Sequence, residues 1–283
     1  MGKRRDLETL LDEIVTLPSL PATIDRVNKM MENPQIPLTA VGQVISTDPA
    51  IAIKTLRLVN SAYYALREKV TSVELAVVML GTKVVRNLVM TATVFDTMKG
   101  GAESYIRHSI SCGILLEILT RNHSQKFPIA ADEAFIFGLL HDVGKVIFTQ
   151  YLPVECNEVC ANVAKSKRPM FLAEREIIGV DHAAIGSRLA QRWKLPEPLV
   201  QAIAGHHELD LCLDDGARSL CANLAVADYI CHVCGISDIE GNTPEVDEET
   251  WRVSGLKGSD IPKIMGEFFE ALSKVDELTK LAA

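Results

Sequence analysis

The chain has 283 residues, of which 48% are hydrophobic and 23% charged, with a formal net charge of −8 and seven cysteines. That length supports one large or two small domains with a substantial core; the acidic balance disfavours a nucleic-acid backbone as partner, and no run approaches the roughly 18 apolar residues of a membrane span. An odd number of cysteines scattered through apolar stretches fits reduced thiols rather than a disulfide framework, and the start, MGKRRDLETLL, passes from three basic residues into a charged amphipathic segment, so a cytoplasmic protein is expected, with no membrane insertion.

Helical periodicity dominates and period-2 strands are absent, so the expected fold class is all-α. Leu7, Leu10, Leu11 and Ile14 recur at helical spacing, and Ile24, Val27, Met30 and Met31 repeat the pattern after Pro18 and Pro21. Pro34 and Pro37 then break the chain. Asp48 before Pro49 predicts an N-cap with proline in the first turn, opening a helix whose Ile51, Leu56 and Val59 form an apolar face. Gly81 punctuates the next pair of helices. Gly100 and Gly101 form the hinge that divides an N-terminal helical part, 1–100, from the segment 101–236 that holds every candidate ligand. Residues 237–283 begin with a polar, acidic stretch, SDIEGNTPEVDEET, that reads as a surface connection. Beyond Ser259, an N-cap candidate, Ile261, Ile264, Met265, Phe268, Leu272, Val275 and Leu278 form a long apolar stripe that needs a partner.

Seven residues carry the chemistry: His108, His141, Asp142, His182, His206, His207 and Asp228. Five of the seven histidines belong to this set, and the spacings of 33, 41, 24 and 21 residues put each group on its own helical segment. Such a set converges in a helical bundle. Imidazole and carboxylate suit divalent Fe, Mn, Ni, Co or Zn, and an aspartate can bridge two ions through its two oxygens; Asp142, beside His141, is the natural bridge. His108 shares a face with Cys112, Leu115 and Leu119. His182 aligns with Ile185, Gly186, Leu189 and Trp193, with Asp181 as its N-cap. Asp228 shares its face with Cys221, Leu224, Ala225 and Cys231, where an unpaired carboxylate would cost several kcal/mol. Taken alone, each histidine reads as a hydrogen-bonded core imidazole. Jointly they would need many internal partners, whereas one dinuclear cluster satisfies them all. Lys145, one turn after His141, can aim an ammonium at an anion held there, and Gly144 lets another backbone come close. Cys231 and Cys234, with Cys212 and Cys221, have the composition of a weak zinc-site candidate that helical core packing explains equally well.

These motifs resemble a known superfamily. GLLHDVGK at 138–145, followed by DHAAIG, HHE and ADYI, is similar to the HD superfamily of metal-dependent phosphohydrolases, including its binuclear phosphodiesterases. LPSLPATIDRV at 17–27, ISTDPAIAIKTLRLVNSAYY at 45–64 and TSVELAVVMLG at 71–81 resemble the HDOD domain, the HD-related output domain of bacterial signalling proteins. The resemblance implies an HD-type helical bundle preceded by an N-terminal helical subdomain, against which the C-terminal helix would pack; a dimer interface or another signalling protein is the alternative occupant of that stripe. It implies two divalent transition-metal ions, Fe or Mn first, with Ni, Zn or Co as alternatives. The implied reaction is metal-activated water attacking phosphorus, with Asp142 and Lys145 as the catalytic residues and Lys145 assisting the phosphate. Two functions follow: a phosphohydrolase acting on a nucleotide or other phosphoester, or a catalytically silent output or scaffold module whose metal site is structural or ligand-sensing. A phosphate-containing small molecule and a signalling protein are the implied partners. Two departures narrow the first. After His207 the chain lacks the Gly-Tyr-Pro triplet of the cyclic di-GMP-cleaving branch, and position 104 is Ser104, with Glu103 only adjacent, so the glutamate that supplies a third metal in some relatives has no direct counterpart.

Overall fold

The structure, a computed structural model, describes residues 21–31, 33, 35–98, 103–122, 129, 131–237 and 243–282. Helix is the dominant structure and no strand occurs among the described residues, in agreement with the periodicity. The Leu7–Ile14 stripe and the Gly100–Gly101 hinge lie outside the described residues.

The chain falls into two compact units, one within Pro18–Gly100 and Ala271–Ala283, the other within Gly101–Glu270. The first contains α1 (Ala22–Met31), α2 (Leu38–Ser46), α3 (Pro49–Val59), α4 (Val73–Leu80) and α5 (Thr82–Met98). Asp48 caps α3 by accepting from the Ala50 and Ile51 amides, and Pro49 occupies a first-turn position whose missing N–H costs nothing. Gly81 separates α4 from α5 in a left-handed conformation, φ 84°. Residues 271–282, the second half of α15 (Ile261–Ala282), belong to this unit: Glu277 accepts from the Ala62 amide at 2.9 Å, and Val275 and Leu278 are buried. The helix starts after Asp260, one residue later than the Ser259 cap predicts.

The second unit contains α6 (Glu103–Asn122), α7 (Ala131–Leu140), α8 (Val143–Tyr151), α9 (Pro153–Ser166), α10 (Met170–Ile177), α11 (His182–Arg192), α12 (Glu197–Gly205), α13 (Asp215–Val233) and α14 (Glu248–Ser254). Helix α6 is buried on nearly every side, as expected for a helix at the centre of a bundle. It packs against α7 and α13, while α11 packs against α8 and α12. The stretch read from sequence as a surface connection differs in its second half: residues 248–254 form α14, capped by Asp247 and packed on α13, with Thr250 and Ser254 buried. Its run of acids obscured that helix, because the apolar periodicity is carried by two short polar side chains.

Two glycines set how closely the ligand helices approach. A Cβ on Gly144 would stand 2.0 Å from the His182 carbonyl oxygen, and one on Gly138 would stand 2.5 Å from the Cys112 backbone. Both obstacles are backbone, which side-chain rotation cannot relieve. Gly144→Ala therefore separates α8 from α11 and destabilises the protein by about 1–3 kcal/mol or more, measured as a lower urea midpoint at unchanged m value. An unchanged midpoint would refute this account of the helix contact.

Candidate metal centre

The turn between α7 and α8 presents His141 and Asp142; α6 supplies His108, the start of α11 supplies His182, the end of α12 is followed by His206 and His207, and α13 supplies Asp228. The structure brings all seven together, in two groups whose potential ligand atoms lie within 4.8 Å of one another. One group is His108, His141 and Asp228 with Cys112; the other is Asp142, His182, His206 and His207. His108, His141 and His182 are fully buried, and Asp142 is 1% exposed.

Asp142 stands between the groups. Its Oδ2 lies 3.7 Å from His108 Nε2 and 3.3 Å from His141 Nε2, while its Oδ1 lies 3.0 Å from His182 Nε2 and 3.6 Å from His206 Nε2. The Tyr105 hydroxyl donates to the Asp142 carbonyl at 3.1 Å and pins this turn. Asp228 Oδ1 lies 3.1 Å from His108 Nε2 and 4.0 Å from His141 Nε2.

The imidazoles are oriented from behind. Nδ1 of His108 faces the Ile236 carbonyl at 3.0 Å, that of His141 the Gly138 carbonyl at 2.7 Å, and that of His206 the Ile203 carbonyl at 2.7 Å. A carbonyl only accepts, so each Nδ1 carries the proton and each Nε2 turns its lone pair inward. His182 Nδ1 is 2.6 Å from Glu174 Oε2, which also accepts from the His182 amide at 2.9 Å. This is the carboxylate–histidine arrangement that fixes ring orientation and raises ligand basicity.

The charges fit a cation in each group. Burial disfavours the charged form of His182, yet the Glu174 and Asp142 carboxylates overcome it and lift its pKa to about 10. Burial likewise opposes protonation of His108, and the neighbouring Cys112 and Asp228 again win, raising it well above the usual range. Each group thus holds one imidazole whose charged form a neighbouring carboxylate favours. By contrast, burial together with the adjacent His206 and His182 pushes His207 well below the ordinary range, and His206 is also lowered, first by burial. Nε2 of His141 and His206 are buried without a hydrogen bond, and the buried oxygens of Asp142 and Asp228 face imidazole nitrogens and the Lys145 ammonium. Unsatisfied lone pairs in such a place carry a desolvation cost that a shared metal removes. The residues present therefore fit transition-metal binding.

A cavity of about 700 Å³ opens over the cluster, lined by Lys145, His182, His206, His207, Asp228 and Phe171 among others. Lys145 Nζ lies 2.6 Å from Asp142 Oδ2, so the predicted ammonium does reach the centre. Residues 243–247 also line the cavity, which gives the acidic stretch a role that its composition did not indicate. Asp210 pairs with Arg218 at 3.4 Å, and Asp214 caps α13 by accepting from the Ala217 amide. Glu103 and Ser104 are exposed at the start of α6.

Three residues at the site escaped the sequence reading as participants. Glu174 is a fully buried acid on the apolar side of α10, between Met170 and Ile177 in helical register; that register was the available signal. His232 Nε2 lies 3.3 Å from Asp228 Oδ1, one turn along α13, and the four-residue spacing announced it. Cys112 was read only as a core neighbour of His108. In the Cys231–Cys234 motif, Cys231 Sγ faces Cys112 Sγ at 3.5 Å.

The HDOD domain pattern matches residues 17–209, a span that includes six of the seven ligand candidates and stops short of Asp228. An uncharacterised protein of Treponema pallidum (strain Nichols) is 28% identical over 83% of this chain, and the chain spans 45% of that relative's length. Among solved structures, an HDOD domain protein of unknown function from Geobacter sulfurreducens is 23% identical, with 98% of this chain and 99% of that chain covered at a TM-score of 0.78. A presumed phosphohydrolase from Shewanella amazonensis SB2B is 25% identical, with 97% and 98% covered at a TM-score of 0.75.

Because Glu174 fixes both the ring and the tautomer of His182, Glu174→Gln lowers transition-metal affinity about 10–100-fold while the far-ultraviolet helical signal is retained. Unaltered affinity in a titration of this variant would remove Glu174 from the metal site.

Proposed function

The chain belongs to the HDOD domain family, and from that premise we propose that it is a bacterial signalling protein that retains a dinuclear metal centre and hydrolyses a nucleotide or other phosphoester. The observation that carries the reading is the position of Asp142, one carboxylate oxygen toward each histidine group. The name of the Shewanella amazonensis relative, a presumed phosphohydrolase, points the same way. His108, His141 and Asp228 would hold one ion, His182, His206 and His207 the other, with Asp142 shared; Fe or Mn is expected first. Bound ions supply Lewis acidity that activates water and neutralises charge on phosphoryl oxygens.

The chain's own residues do the rest. Glu174 and the Gly138, Ile203 and Ile236 carbonyls keep the Nε2 lone pairs aimed inward. With an ion beside Asp142, Lys145, 12% exposed at its side chain and on the cavity wall, would offer its ammonium to a phosphate oxygen. Substrate fit is set by the walls, here Phe171, Tyr229 and the acidic 243–247 segment, rather than by the ligands. A second reading, a silent output or scaffold module acting through a protein partner, is favoured by one observation: Lys145 is already neutralised by Asp142 at 2.6 Å.

Three outcomes are expected. A panel of nucleotides and phosphodiesters shows turnover that depends on added Mn or Fe and is abolished by chelation, with cyclic di-GMP cleaved poorly or not at all; a metal-replete protein inert across the panel moves the assignment to the scaffold reading. Asp142→Ala removes more metal than His207→Ala in elemental analysis, because a shared carboxylate serves both ions, and equal losses contradict the sharing. Lys145→Ala keeps its metal but binds inorganic phosphate more weakly, since an ammonium contacts the anion; loss of metal in this variant reassigns Lys145 to a structural role.

A further inference from the structure

The ligand group on the Oδ2 side of Asp142 has a member to which the dinuclear reading gives no task. Cys112 lies one turn after His108 on the same face of α6 and is fully buried. Its Sγ is 3.6 Å from His108 Nε2, and it stands within 4.8 Å of the potential ligand atoms of His141 and Asp228 as well. Metal–nitrogen bonds of about 2.0–2.1 Å and metal–sulfur bonds of about 2.3 Å, held at a tetrahedral angle, place the two ligand atoms roughly 3.5 Å apart. The His108–Cys112 separation, that of a sulfur hydrogen bond in this structure, is also that of two ligands on one ion. A third member of this group, His141 Nε2, is buried and lacks a hydrogen bond. Cys231, although its Sγ is 3.5 Å from Cys112 Sγ, belongs to neither ligand group among the described residues. The two thiols are not equivalent.

Resting on the dinuclear reading, we propose that Cys112 is a thiolate ligand of the ion held by His108, His141 and Asp228. On ligation the thiol gives its S–H proton to solvent as the sulfur–metal bond forms, because only the thiolate coordinates. The two positions then differ in kind. One offers a soft sulfur donor, which favours zinc over the harder manganese, and the other offers imidazole and carboxylate alone. A mixed centre, with the softer ion beside Cys112, follows from that difference.

The test uses the full chain, stripped of metal and reloaded with Co(II), with absorption spectra and cobalt content measured together. The wild type is expected to bind two cobalt ions and show a thiolate-to-cobalt charge-transfer band; Cys112→Ser loses the band while keeping both ions and its helical circular dichroism, and Cys231→Ser retains the band. A wild type that binds two ions without the band, or a Cys112→Ser protein that keeps it, overturns the assignment of Cys112 and leaves the dinuclear reading standing. A wild type that binds no cobalt overturns both. Should Cys112→Ser fail to fold, X-ray absorption at the cobalt edge of the wild type decides: a sulfur scatterer at about 2.3 Å that is retained in Cys231→Ser supports the ligand, and a shell of only nitrogen and oxygen refutes it.

Discussion

The carboxylate of Asp142 is held at 1% exposure among the Nε2 atoms of four histidines and the ammonium of Lys145. An anion removed from water costs several kcal/mol unless positive charge meets it. Burial opposes its ionisation, yet His141, Lys145 and His182 hold its pKa well below the usual carboxylate range. Everything around it follows from that demand: imidazoles turned inward, backbone carbonyls behind them, and Glu174 behind His182. Glu174 and the same Asp142 carboxylate drive His182 toward protonation although it is buried. That imidazole supplies charge that a divalent ion would supply better.

Holding that carboxylate requires five separate chain segments to meet closely, and the helices are shaped for it. Gly138 lets α7 lie against the backbone of α6 at Cys112, and Gly144 lets α8 lie against the backbone of α11 at His182. The Asp181 cap, accepting from the Ala184 amide at 2.7 Å, fixes where α11 begins and so where His182 points. The site is thus mounted on helix interiors, helix termini and a tight turn rather than on long loops, and rigid elements hold ligand geometry best.

How much of this was legible in the sequence differs by element. The helical class, the Asp48 and Asp181 caps and the Gly81 break rest on local rules, and these read correctly because propensity and capping act over a few residues. The seven clustered residues were legible because several histidines and acids sat on apolar helical faces where each alone would be costly. Glu174 was harder, because its pairing with His182 depends on which helices face one another, whereas His232 and Cys112 lie one turn from Asp228 and His108 on the same helices and were within reach of periodicity. The acidic stretch before α14 is solvent-exposed at 243, 245 and 247, as its composition indicated, but composition did not show that residues 243–247 also line the cavity. The Cys231–Cys234 spacing did not show that Cys231 meets a sulfur on another helix, that of Cys112.

The central claim is that Asp142 sits between two ions. Anomalous diffraction from crystals of the metal-loaded protein, recorded at the absorption edge of the bound metal, addresses it directly. The account predicts two peaks per chain, one between His108, His141 and Asp228 and the other between His182, His206 and His207, with one Asp142 oxygen toward each. A single peak, or none, from protein grown at saturating metal would contradict it.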